Sequence, residues 1–170
     1  MLGEAITSEP VAPAAGRPAG QTRSRELLFR AGTQLCAVPL DRVIEVMRFL
    51  PIKPVSSGPR FVRGLCIIRG APVPVVDTGL LIGDRSTDCQ RLITVRTGSR
   101  TVALAAETVL GIWTIDPATL SRLPPLLADG ETDVITAIAS RDSELLVFLQ
   151  TTRVIPDDLH DHLLADGARL

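Results

Sequence analysis

The feature that most constrains this chain is a rhythm. Short runs rich in Val, Ile, Leu and Ala recur along it, separated by turns that contain Gly, Pro, Ser or Asp. Turn signals about every 8–12 residues leave little room for the helices of βαβ units and point to barrels or a sandwich of antiparallel strands. Residues 26–30 and 34–38 flank Ala31-Gly32-Thr33 and read as a first hairpin. Strand-like runs at 61–68 and 72–76 meet at Arg69-Gly70-Ala71, where Gly70 permits positive φ. Pro72 and Pro74 cannot donate to a ladder and belong at an edge or a bulge. Residues 91–95 and 101–105 form a second hairpin around Thr97-Gly98-Ser99, and 108–115 continue as a strand. Residues 134–139 and 145–151 form a third hairpin around Arg141-Asp142-Ser143.

Three segments depart from this texture. Residues 40–48 are expected to form one or two turns of amphipathic helix, because Val43 and Met47 are four apart and Asp41 can cap the start. Residues 116–127 are Pro-rich and expected to be irregular, and 78–83 form a short turn or helix. Residues 156–165 read as a terminal helix with Leu159 and Leu163 on one face and Gly167 just past its end. Residues 1–24 are dominated by Ala, Pro and Gly without apolar periodicity. They cannot bury enough surface to offset their ordering entropy and read as a disordered leader.

Composition removes several function classes. Lys and Arg number 18 against 19 Asp and Glu, so no basic field attracts a phosphate backbone. Aromatic residues are 3% of the chain, which leaves little for bases to stack on. No apolar run approaches the ~18 residues of a membrane span. No basic stretch followed by an apolar core marks an export signal, so a cytoplasmic location is expected.

Cys36, Cys66 and Cys89 form no C-x-x-C pair. The first two sit in apolar runs and read as small core residues, whereas Cys89 lies among polar residues and is expected to be exposed. Asp157-Asp158-Leu159-His160-Asp161-His162 holds metal-capable groups, but no further cluster completes a ligand set, and a solvated acidic helix is the better reading. The only lysine is Lys53, so no phosphate-cradling Gly-rich loop ends in Lys-Ser/Thr, and there is no G-x-S-x-G elbow. Asp77 and Glu107 are isolated carboxylates better suited to capping or turns than to acid–base work. The reading is of a protein without catalytic residues, metal or cofactor.

The most informative stretch runs from Arg60 to Asp77. It is an apolar strand ending in Arg69-Gly70 that resumes as Pro74-Val75-Val76-Asp77. Arg69 stands at a strand end, free to fork onto a carboxylate or carbonyls, or to form a salt bridge within the fold. This stretch resembles the CheW family of bacterial chemotaxis coupling proteins. Arg42-Val43-Ile44-Glu45-Val46 resembles the family's V-x-E-[IV] segment, and residues 28–38 its preceding hairpin. Residues 102–115 resemble the family's next strand pair, and 134–155 its closing strand pair, so the resemblance covers 25–158.

The resemblance implies a mainly β fold: a CheW-like domain of two small five-stranded β-barrel lobes sharing an apolar seam, with a short helix after the first hairpin and a C-terminal helix. With the leader over 1–24 read from composition, the resemblance sets the domain at 25–158 and leaves a helix end and tail over 159–170. It also implies a non-enzymatic scaffold. Such a protein couples the cytoplasmic tip of a chemoreceptor, a methyl-accepting chemotaxis protein, to the regulatory domain of a CheA-type histidine kinase, and is recruited to membrane-bound receptor arrays. Val43, Glu45, Gly64 and Arg69 carry over as receptor-binding residues, and the kinase contact maps to no single residue. The chain departs from the family pattern at several positions. Ile67 stands for a usual Asn, Gly79 for Arg, Glu107 for Asp, Ala137 for Gly and Gln150 for Asp. A receptor-binding relative without kinase coupling, or one serving a non-flagellar pathway, is therefore the alternative. A small β-barrel enzyme or ligand-binding protein is a more distant one.

Overall fold

The computed structural model describes residues 23–121 and 133–169. The expected leader lies outside the described residues except for Arg23 and Ser24, and Ser24 already opens the first strand. Of the segment expected to be irregular, residues 122–127 are also outside. Within it, Pro117–Thr119 is a single 3₁₀ turn.

Among the described residues ten strands make two five-stranded sheets. The strands are β1 (Ser24–Ala31), β2 (Gln34–Pro39), β3 (Val43–Arg48), β4 (Val62–Ile68), β5 (Ala71–Asp77), β6 (Arg91–Thr97), β7 (Arg100–Ala106), β8 (Thr108–Ile115), β9 (Ile135–Arg141) and β10 (Glu144–Leu149). Helix α1 spans Thr78–Leu81 and α2 spans Asp157–Gly167. Lobe I has the order β8-β1-β2-β10-β9 and lobe II the order β3-β6-β7-β5-β4. The chain crosses from lobe I to lobe II between β2 and β3 and returns between β7 and β8. Each lobe contains one parallel pair, β10 with β2 and β5 with β7, among antiparallel ones.

Two expectations are corrected. The lobes are open sheets: in neither does the last strand pair with the first. Each gap is spanned by an isolated backbone bridge from the segment past one edge strand to the other edge strand, Lys53 with Leu65 in lobe II and Ser121 with Ile138 in lobe I. And residues 40–48 are not a helix. Leu40–Arg42 is one 3₁₀ turn without a side-chain cap, and the rest is strand β3 paired with β6. The reason is arithmetic: a spacing of four, Val43 to Met47, fits period two as well as the helical period. With Val43, Ile44 and Val46 β-branched, the pleat wins.

The prolines sit where their missing N–H is tolerated. Pairing between β5 and β7 begins only at Val75, so Pro72 and Pro74 occupy the half of β5 that is paired on one flank alone. At the β4–β5 turn both Arg69 (φ 51°) and Gly70 (φ 80°) are left-handed, as a two-residue hairpin turn that follows strand twist requires. Asp142 and Ser143 repeat this geometry between β9 and β10.

Apolar side chains divide into three cores. One fills lobe I with Leu28, Leu35, Ala37, Ile115, Leu146 and Phe148. Another fills lobe II with Cys66, Ile68, Val73, Val75, Leu92 and Ala103. The largest lies between the lobes, where Phe29, Val38 and Leu149 meet Val76, Ile93 and Leu104, and Leu163 of α2 inserts among them. This shared seam makes the two lobes one cooperative unit.

The terminal helix is more than a solvated acidic face. Arg100 binds the Asp157 backbone carbonyl and, at 2.9 Å, the Asp161 carboxylate. His160 is buried, with Nε2 3.2 Å from the Thr101 carbonyl. His162 lies 3.3 Å from Ser57 Oγ, which also donates to Asp166. Gly167 lies within the helix rather than beyond it, and a Cβ there would sit 2.0 Å from Leu65 Cδ1, so the helix end packs directly on β4.

Candidate interaction site

Lobe II is curled so that its two edges approach, and an ion pair spans them. Arg69, in the β4–β5 turn, forks onto Glu45 of β3, with Nε 3.0 Å from Oε1 and Nη2 2.8 Å from Oε2. The residues are 24 positions apart in the chain and on opposite edges of the sheet. The hydrogen bond from Arg69 lowers the Glu45 carboxyl, and the same bond raises the Arg69 guanidinium, so both are charged across the neutral range. The β3 backbone is irregular here, with a register shift between Val43 and Glu45. Thr94 Oγ1 compensates, accepting from the Glu45 N–H and donating to its carbonyl at 3.2 Å each.

Exposed aliphatic residues lie beside both members of the pair in the chain. Ile44 and Val46 flank Glu45 along β3 and are 46% and 41% exposed, while Ile67, two residues before Arg69, is 64% exposed. Exposed aliphatic side chains next to a charged pair are a surface that a partner can cover. Phe49, just past β3, is also exposed.

The structure brings Glu45 and Arg69 into one site and treats the other two candidates differently. Val43 is half-buried and packs against the shared seam. Gly64 is buried at φ 143°, and a Cβ there would lie 2.0 Å from the Lys53 carbonyl oxygen. Lys53 exchanges both backbone hydrogen bonds with Leu65 at this crossing. Gly64 therefore acts through the backbone, letting the 50s segment lie across β4.

Behind the site, Asp77 organises the loop between α1 and β6. It is 1% exposed and accepts from Arg63 (2.8 Å), Ser86 Oγ (2.7 Å), the Thr87 N–H (3.0 Å) and the Leu80 N–H (3.2 Å). Burial works to raise this carboxyl, but the bonds from Ser86, Thr87, Arg63 and Leu80 outweigh it and hold it below the ordinary range. A capping role was expected of Asp77, and the Leu80 contact is that cap. The loop it anchors carries Asp84 across to lobe I, where the Thr33 N–H and hydroxyl donate to it at 2.6 and 2.7 Å. Gly79 belongs to the same packing: a Cβ would lie 2.1 Å from the Arg85 carbonyl oxygen, so the arginine expected from the family pattern has no room here.

Cys36 and Cys66 are buried, and burial pushes the Cys36 thiol up to about 12. Cys89, expected to be exposed, is half-buried against the lobe II core. Among the described residues no group of three His, Cys, Asp or Glu is arranged to hold a metal, and no helix is long and apolar enough to cross a membrane.

This arrangement of two open five-stranded lobes with a shared seam coincides with a family model described as a CheW-like domain, which matches residues 25–158. The chain belongs to the CheW-like family. It is 30% identical over 136 residues to the protein FrzA of Myxococcus xanthus, covering 75% of this chain and 82% of that one. It is 25% identical over 138 residues to the chemotaxis protein CheW of Rhizobium meliloti, covering 79% and 89%. The scaffolding protein TtCheW of Thermoanaerobacter tengcongensis shares the fold at a TM-score of 0.66 and 21% identity, covering 76% of this chain and 90% of that one.

Proposed function

We propose that this CheW-like chain is a non-enzymatic coupling adaptor that binds a chemoreceptor's cytoplasmic tip and the regulatory domain of a CheA-type kinase. Its place in the cell is the cytoplasmic side of receptor arrays. The adaptor role follows from the family, whose named relatives are chemotaxis and scaffolding proteins. The observation that carries the receptor contact is the Glu45–Arg69 fork set among exposed Ile44, Val46 and Ile67. A helix laid over it buries its apolar face on the aliphatic residues, and a polar side chain of that helix can share the carboxylate or the fork. Glu45 and Arg69 touch the receptor. Val43 and Gly64 set the course of β3 and β4 beneath them.

Kinase coupling draws its support from the family alone. Of the residues that depart from the family pattern, Ile67 lies on the exposed patch, Gly79 is buried, and Ala137 packs on the lobe I core. The test is two separate titrations, with a receptor cytoplasmic fragment and with a kinase regulatory domain, and micromolar binding to each is expected, on the order of −8 kcal/mol. Receptor binding without kinase binding would assign the chain to the uncoupled alternative. Absence of both would overturn the adaptor role.

A further inference from the structure

The two lobes share one strand order, so β8 stands in lobe I where β3 stands in lobe II, and the β9–β10 hairpin stands where β4–β5 does. The correspondence extends to a side-chain contact across the gap of each open sheet. In lobe II the arginine at the hairpin turn, Arg69, reaches the opposite edge at Glu45. In lobe I the last residue of β9 before its turn, Arg141, lies over the ring of Trp113 on β8. The chemistry differs. The fork onto Glu45 occupies Nε and one Nη2 donor of Arg69, whereas an aromatic face attracts a cation without using its N–H groups. Two described carboxylates lie near Arg141: its neighbour Asp142, at 3.5 Å and 89% exposed, and its cross-strand partner Glu144, whose carboxylate is forked by Arg30.

Beside this contact is an open cavity of about 380 Å³ with Trp113, Ile115 and Leu146 in its wall and Arg23, Arg141 and Asp116 among its polar residues. Asp116 is committed to the 3₁₀ turn that follows, accepting from the Ala118 N–H at 3.0 Å. Arg23 lines the cavity from just ahead of β1. The volume is at the small end of ligand pockets, which run from about 300 Å³, so it takes one or two side chains rather than a large cofactor. An apolar wall beside two guanidiniums with donors to spare selects a ligand that is apolar at one point and anionic around it.

We propose that the lobe I cavity is a second docking site, independent of the receptor surface on lobe II, for an acidic peptide segment of a partner protein. An aliphatic side chain of that segment sits against Trp113, Ile115 and Leu146, and its flanking carboxylates fork onto Arg141 and Arg23.

Trp113 is the only tryptophan of the chain, so its emission reports on this cavity alone. The full chain is titrated with a blocked Glu-Glu-Leu-Glu-Glu peptide, with its Leu-to-Ala and all-Lys analogues, and with inorganic phosphate, by fluorescence and calorimetry in parallel. A saturable emission change with the acidic Leu peptide is expected, with both analogues weaker by about tenfold or more. Arg141→Gln and Arg23→Gln should each weaken binding by about fivefold or more at unchanged Tm, and Glu45→Gln should leave it unaltered. Arg23 precedes β1, so its variant serves if Arg141→Gln fails to fold. Three results overturn the proposal: no saturable change at millimolar peptide, equal binding of phosphate or the Ala analogue, or an equal loss in Glu45→Gln. Loss of receptor binding in Glu45→Gln with peptide binding retained would separate the two sites.

Discussion

Replacing Asp77 by Ala removes one carboxylate and leaves four donors behind. Arg63, with a quarter of its side chain exposed, can partly rehydrate, but the Thr87 N–H is buried and has no other partner of comparable geometry. Removing one member of a buried pair costs about 3–5 kcal/mol, and partial rehydration of Arg63 places this case at the low end, about 3 kcal/mol. For a domain of this length about 2–4 °C is lost per kcal/mol, so Tm should fall by about 6–12 °C. Asp77→Asn keeps an acceptor for some of the donors and should lose about half as much. Because the anchored loop carries Asp84 to Thr33, amides in this loop should exchange faster in both variants than those of the central strands. The measurements are calorimetry and hydrogen exchange. A drop below about 2 °C for Asp77→Ala, with loop protection intact, would refute the reasoning that this carboxylate holds the loop.

Gly64→Ala places a Cβ 2.0 Å from the Lys53 carbonyl oxygen at a φ of 143°, so the variant should melt at least about 8 °C lower or fail to accumulate folded, as checked by circular dichroism. Because the Asp77 carboxyl is lower when folded than unfolded, its stabilisation is present above the unfolded value near pH 4 and fades as pH falls through the folded one. Denaturation between about pH 5 and 2 should therefore show a shallower acid loss in Asp77→Asn than in the parent chain, and equal slopes would contradict this. A chain beginning at Arg23, just before β1, should melt within about 2 °C of the full chain, and a larger drop would show that residues 1–22 pack on a lobe.

The hairpins were legible because period-two alternation and turn residues are local signals. The strand at 108–115 was readable to the residue, and the left-handed Gly70 followed from its place between two apolar runs. Strand β3 was not, because Val43 and Met47 satisfy both periods and only the pairing partner β6, some 45 residues on, decides between them. That misreading also hid the exposed side of β3, so Ile44 and Val46 did not emerge as interface candidates. Glu45 and Arg69 could each be picked out through the family resemblance. Their mutual fork could not, since it depends on sheet curvature bringing opposite edges together. The requirement for Gly64 lies in the backbone of Lys53, which no local pattern around Gly64 encodes.

The contact between Arg69 and a receptor is the central claim, and one paired measurement addresses it: a melting curve beside a titration with the receptor cytoplasmic fragment, for Arg69→Ala and Arg69→Lys. The Arg69 side chain is 79% exposed, so losing its bond to Glu45 should leave Tm within about 2 °C of the parent. Receptor affinity should fall by about tenfold or more in Arg69→Ala, with partial rescue in Arg69→Lys, which restores the charge but not the planar fork. A variant that melts far earlier yet binds the receptor normally while folded would assign Arg69 to closing lobe II and contradict the account.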